Sequence, residues 1–135
     1  MEQTVVIGIS SEIDVFFAQS ECLKLVETIG FTATDKARIS TIVMELSTNI
    51  LKYAKRGKMK FSKIVIEGKE GVVIEAVDRG PAIDDIEKAL SDSYSSGGTL
   101  GLGLPGVKRI SHEFDIMSEP GKGTRVKATY FKENR

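Results

Sequence analysis

The chain has 135 residues, 41% of them apolar and 28% charged, with 19 Lys and Arg set against 19 Asp and Glu. That length predicts one domain over residues 1–135, and the zero formal charge excludes a nucleic-acid binder working through bulk electrostatics, although a local basic patch survives such averaging. No apolar run approaches the ~20 residues of a membrane span, Met1-Glu2-Gln3-Thr4 is no signal peptide, and a single cysteine, Cys22, beside a single histidine, His112, leaves no disulfide, zinc cluster or Ser-His-Asp set, so a cytoplasmic protein without membrane or nucleic-acid partners is expected.

Thr4 to Ile9 is β-branched and apolar and predicts a first strand. Ser10 or Ser11 then caps a helix whose apolar set is Ile13, Phe16, Phe17, Cys22, Val26 and Ile29, with Gly30 as its stop. A second helix starts near Thr34 or Asp35 and reaches Ala54 or Lys55. Its apolar side is Ile39, Ile42, Val43, Leu46, Ile50 and Tyr53, and Gly57 lies just past its end. Phe61 to Glu67 and Val72 to Val77 read as two strands of a hairpin joined through Gly68-Lys69-Glu70-Gly71. A short helix is expected over Asp84 to Leu90.

Ser91 to Gly106 breaks the pattern with five glycines and four serines. Structureless loops of this length are usually functional or disordered, and because regular structure resumes directly after it the segment is expected to be a mobile functional loop, not a domain linker. Val107 to Phe114 predicts a helix and Asp115 to Ser118 a short strand. Glu119-Pro120-Gly121-Lys122-Gly123 is a turn, and Thr124 to Phe131 a closing strand. No internal repeat or second composition regime appears. The elements predict an α+β sandwich with helices covering one sheet face.

Four clusters carry polar chemistry. Glu45 and Asn49 are one turn apart on the second helix, and with Ile42 at zero they fall near 300° and 340°, bordering the apolar stripe with Lys52 beside them. An amide oxygen and a carboxylate at a core margin can hold a hard cation and take a proton from a hydroxyl; from the pair alone, a solvated helix edge is the commoner reading. Asp78-Arg79-Gly80-Pro81-Ala82 leaves an apolar strand with an acceptor suited to an exocyclic amine such as adenine's, and with a glycine that lets a flat ring approach; an ordinary turn has the same composition.

Gly101-Leu102-Gly103-Leu104-Pro105-Gly106 spells G-x-G-x-x-G, but Ser95-Ser96-Gly97-Gly98-Thr99 precedes it instead of a strand, so the dinucleotide reading is rejected. No G-K-[ST] exists for a Walker loop. A glycine-rich run entering a helix still presents N–H groups and a positive dipole end that favour phosphate, with a flexible linker as the equal alternative. Gly121-Lys122-Gly123-Thr124 on its own reads as a hairpin turn. Cys22 reads as a buried thiol, His112 as a helix-edge residue, and Lys108-Arg109 as a solvated helix face.

Taken in order, Glu45-x-x-x-Asn49, Asp78-x-Gly80, the glycine run to Gly103 and Gly121-x-Gly123-Thr124 resemble the GHKL (Bergerat-fold) ATPases over nearly the whole chain. The short length and the wording GLGLPGVKRISHEFDIMSEPGKGT are most similar to the small serine-kinase and anti-sigma-factor branch, and within it to RsbT-type switch kinases of the bacterial stressosome. The resemblance implies a two-layer sandwich with a mixed, mostly antiparallel sheet. It implies ATP and Mg²⁺ as cofactors, with Asn49 holding the metal and Glu45 as general base toward a serine or threonine. Asp78 would meet the adenine amine, supported by Thr124 and Gly80, and Gly97, Gly98, Gly101, Leu102 and Gly103 would form the lid over the phosphates. Ala82 departs from the family's second glycine; were positive φ needed there, the alanine would cost about 1–2 kcal/mol.

The implied activity is an ATP-dependent kinase acting on a STAS-domain protein, followed by activation of a PP2C-type phosphatase. Two alternatives are an anti-sigma-factor kinase that sequesters a sigma factor, and a non-catalytic partner-switching module with a weak nucleotide site. Ala82 is the sole support for the last.

Overall fold

Alternation sets the sheet. In strand β1 (Thr4–Ile9) the residues Ile7 and Ile9 turn inward while Val6 and Gly8 turn out, a period of two matched to one buried face. The computed structural model describes residues 3–80 and 103–133. In these, β1 is followed by helix α1 (Glu12–Leu25), a 3₁₀ turn (Glu27–Ile29) and helix α2 (Ala33–Tyr53). Strands β2 (Gly57–Ile66) and β3 (Lys69–Asp78), helix α3 (Gly103–Ile110) and strands β4 (Glu113–Glu119) and β5 (Gly123–Phe131) complete the order. The sheet runs β1-β2-β3-β5-β4 with every pair antiparallel. It is an α+β sandwich, with the helices packed on the face that carries Met59, Phe61, Ile74, Ala76, Val126 and Ala128. No described helix is long and apolar enough to cross a membrane.

Local rules account for most boundaries. Thr32 Oγ1 accepts the Asp35 N–H and Asp35 Oδ2 accepts the Thr32 N–H, both at 3.1 Å, a reciprocal cap that starts α2 at Ala33. The β2–β3 hairpin is tighter than its glycines suggest. Ile66 pairs with Lys69, so the loop is only Glu67-Gly68, both at positive φ, and Gly71 belongs to the strand. The expected short strands Phe61–Glu67 and Val72–Val77 are therefore each ten residues long. The expected helix over Val107–Phe114 instead spans Gly103–Ile110, and Phe114 lies in β4. Pro105 stands in its first turn, where a missing N–H costs nothing. The expected helix at Asp84–Leu90 lies outside the described residues.

Helix α1 corrects the expected core. Ile13, Phe16 and Phe17 are 74%, 68% and 53% exposed, whereas Val15, Ala18, Cys22 and Leu25 are buried. Those four fall within an arc of about 80°, and the two small residues at its centre let α1 approach α2 and β1 closely. Burial pushes the Cys22 thiol up to about 12, which leaves it protonated and unreactive. On β5, buried Tyr130 donates its hydroxyl to Asp35 Oδ1 at 2.6 Å and accepts from Arg38 at 3.3 Å, pinning the start of α2 to the sheet.

Candidate active site

The site lies where α2, the end of β3, the start of β5 and the start of α3 converge. Glu45 is only 6% exposed, because α3 packs against the flank of α2 that an isolated helical wheel leaves at the stripe's edge. Its Oε2 accepts the backbone N–H of Gly103 at 3.0 Å. An unpaired amide at a helix start is an orphan donor at a positive dipole end, so a carboxylate is the natural partner. Asn49, one turn on, is half-buried on the same flank. Lys52 is exposed and lies over the Tyr53 ring at 5.3 Å, away from a role as a paired cation at the site.

Asp78 closes β3 with its side chain on the helix-facing side, the same parity as Ala76 and Ile74. Its Oδ1 accepts the Gly80 N–H at 2.9 Å. Burial holds its carboxyl above the usual carboxylate range, and the amides of Gly80 and Thr124 offset only part of that shift. Gly80 is required by packing: a Cβ there would lie 2.5 Å from the Ala54 Cβ at the end of α2. Asp78 pairs with Thr124 across the β3–β5 ladder, and Gly123 passes so close that a Cβ would clash with the Asp78 carbonyl oxygen. Gly123 also has φ +83°, so two independent constraints select glycine.

Thr124 is buried, and its hydroxyl lies 2.8 Å from that of Ser118, its register partner on β4. Ser118 carries no motif of its own; the hairpin register alone would have found it. Glu45, Asn49, Asp78, Gly80, Gly103 and Thr124 are thus gathered at one end of the sandwich. Ala82, Gly97, Gly98, Gly101 and Leu102 lie outside the described residues. His112 and Cys22 stay apart from the site: Nδ1 of His112 accepts the Phe131 N–H at 3.0 Å, which places a neutral ring's proton on Nε2.

The arrangement offers a buried carboxylate, an amide oxygen beside it, an acceptor at a strand end and a glycine-led helix start. Groups of these kinds can accept from an exocyclic amine, coordinate a hard cation and receive a hydroxyl proton. The chain is 40% identical over 122 residues to the serine/threonine-protein kinase RsbT of Bacillus subtilis (strain 168), spanning 90% of this chain and 92% of that one. It is 29% identical over 126 residues to the anti-sigma F factor of Caldanaerobacter subterraneus subsp. tengcongensis, spanning 88% and 87%.

The fold is shared with the RsbU and RsbW domains of a Mycobacterium tuberculosis protein, with a TM-score of 0.63 at 15% identity over all of this chain and 34% of that one. It is shared also with the SiaB–SiaC complex from Pseudomonas aeruginosa, at 0.58 and 13% identity over 96% and 89%. Residues 34–134, from α2 through β5 and so through every candidate site residue, match the family described as histidine kinase-, DNA gyrase B- and HSP90-like ATPase, and the chain belongs to that family.

Proposed function

We propose that the chain is an ATP- and Mg²⁺-dependent serine/threonine-protein kinase of a partner-switching system, acting as a single cytoplasmic domain on a STAS-domain protein and afterwards activating a PP2C-type phosphatase. The observation that carries this is the 40% identity to a serine/threonine-protein kinase over 90% of the chain, with Glu45 and Asn49 standing together beside the start of α3.

The described residues fit the metal. They contain no group of three or more His, Cys, Asp and Glu that could hold an ion by themselves. Mg²⁺ is commonly held by one or two protein oxygens together with substrate phosphates, and the Asn49 side-chain oxygen supplies such a ligand. When bound, the ion neutralises charge that develops on the phosphates. Asp78 accepts the adenine amine, and the Thr124–Ser118 hydroxyl pair holds that end of β5 in register. Gly80 and Gly123 keep side chains out of the space around Asp78. Glu45 receives the proton of the substrate hydroxyl, with its orientation fixed by the Gly103 N–H. Gly97, Gly98, Gly101, Leu102 and Gly103 supply the phosphate-side lid in this reading, and Ala82 belongs to the adenine side.

The 29% identity to an anti-sigma F factor supports a second reading, in which the same kinase also sequesters a sigma factor. The test is phosphotransfer from labelled ATP to a cognate STAS-domain protein, run beside sigma-factor binding. Transfer without sigma binding supports the switch kinase. Stable binding of the STAS protein with no transfer overturns the kinase reading in favour of a non-catalytic module.

A further inference from the structure

The sheet face turned away from the helices carries a groove of about 830 Å³ at the end where β1, β2 and β3 meet. Gly8, Lys58 and Val77 form one row across it, paired Gly8 to Lys58 and Lys58 to Val77, so all three point outward. Arg56, Lys60 and Arg79 join Lys58 on its walls. None of these four cations forms an ion pair among the described residues. Two carboxylates stand against them on the lining, Asp14, which accepts from the amides of Ser10 and Ser11, and Asp78, which accepts from that of Gly80, so among the described residues cations outnumber anions there four to two. The groove is therefore a local excess of positive charge on a chain whose formal charge is zero.

Its floor is the second observation. Gly8 has no positive φ, and a Cβ there would meet nothing within 4 Å, so neither backbone conformation nor packing calls for glycine. Glycine weakens a strand interior and characteristically marks a place where another backbone comes close. Here it leaves a gap in the row beside Lys58.

We propose that this groove binds an acidic, extended segment of a partner polypeptide, whose backbone crosses Gly8 and whose carboxylates meet Arg56, Lys58, Lys60 and Arg79. Lys58 and Lys60 are two residues apart on one strand face, about 6.8 Å, which is the spacing of alternate side chains in an extended peptide. A nucleic acid is the poorer fit, because no aromatic side chain among the described residues lines the groove to stack a base. Of the described residues of the candidate nucleotide site, Asp78 alone is on the lining, and its side chain turns to the opposite, helix-facing side, so the groove and that site adjoin at the end of β3 on opposite faces of the sheet. The inference goes beyond the kinase reading and does not depend on it.

The test is a titration of the full chain with a short oligoglutamate peptide, followed residue by residue in amide NMR spectra. Saturable shifts are expected at Gly8, Lys58 and Val77, with none from oligolysine. The double variant Lys58→Glu/Lys60→Glu should weaken binding about 10-fold or more, as removal of complementary charge does. Gly8→Leu should weaken it comparably by filling the floor, with the thermal midpoint unchanged or raised and ATP binding unchanged. Three results would overturn the proposal: shifts located elsewhere, variants that retain the wild-type affinity, or the same shifts produced by raising protein concentration alone, which would make the occupant a second copy. An oligonucleotide of equal charge binding more tightly than the peptide would also overturn it. Failure of ATP binding in the wild type would strike the kinase reading and leave the groove standing.

Discussion

The backbone N–H of Gly103 donates to Oε2 of Glu45 at 3.0 Å, joining the first residue of α3 to the middle of α2 across 58 positions of sequence. The carboxylate proposed to receive a proton from substrate is thus also the group that satisfies the start of the helix ending the glycine-rich segment. Structure and chemistry share one side chain, and substitutions can pull them apart.

Glu45→Gln keeps an oxygen acceptor for Gly103 but cannot take up a proton. Phosphotransfer should fall by roughly 10²–10⁴-fold, the usual contribution of a general base, with ATP affinity and stability little changed. Glu45→Ala leaves the Gly103 amide without its partner and should cost an additional ~1–3 kcal/mol of stability in urea unfolding. Full transfer by the glutamine variant would remove Glu45 from the base role.

Gly123 and Gly121 both have φ near +80°, but only Gly123 approaches another backbone. Gly121→Ala should therefore cost about 1–2 kcal/mol, the left-handed penalty alone. Gly123→Ala should cost several kcal/mol by adding a clash with the Asp78 carbonyl, and should weaken ATP binding as β3 and β5 separate. Equal losses for the two in chemical denaturation would mean that the β3–β5 approach does not govern the site.

Ser47 is fully buried on α2, and its hydroxyl has no hydrogen-bond partner among the described residues. Ser47→Ala should leave stability unchanged or raise it by about 1 kcal/mol, since an unsatisfied buried polar group is a cost. Phe16→Ser, on the exposed side of α1, should stay within about 0.5 kcal/mol of wild type. A large loss from Phe16→Ser would place that ring in a core.

These contrasts also show what the sequence could reveal. The order of polar clusters was legible because each has its own local chemistry: Asp78 at a strand end, Gly123-Thr124 at a strand entry, Glu45 and Asn49 one turn apart inside α2. Helix α2 was legible because its core side is a continuous run of large aliphatic residues. Helix α1 was not, since its buried stripe passes through Ala18 and Cys22 while its largest apolar residues face out. Size suggested the wrong side, and only tertiary packing chooses between a wide apolar arc and a narrow one. The burial of Glu45 depends on α3 arriving from far along the chain, and Ser118 enters the site only through the β4–β5 register. Neither leaves a local signal.

Asp35 and Asp78 should give stability opposite dependences on pH. Burial pushes the Asp35 carboxyl up, but hydrogen bonds from Tyr130 and Thr32 and the charge of Arg38 outweigh it and hold the group below its usual range. A carboxyl lowered in the folded state stabilises above its unfolded value, and the gain is lost as pH falls through the folded one. Asp35→Asn should therefore be less stable than wild type near neutrality, with the difference closing in acid.

Asp78 is raised by burial, so the folded state holds its proton more tightly than the unfolded chain does. Its favourable contribution is present below the ordinary carboxylate value and is lost as pH rises through the higher folded one. Asp78→Asn retains an oxygen for the Gly80 N–H and carries no charge, so near neutral pH it should be at least as stable as wild type, with the advantage disappearing in acid. The same variant should bind ATP about 10- to 100-fold more weakly, because an acceptor-only carboxylate is lost from the adenine side. Urea midpoints across a pH series, read beside calorimetric titration with ATP and Mg²⁺, check both halves. A variant that is destabilised equally at every pH would show that burial of charge at Asp78 does not set the trend, and one that binds ATP as wild type does would show that the adenine contact lies elsewhere.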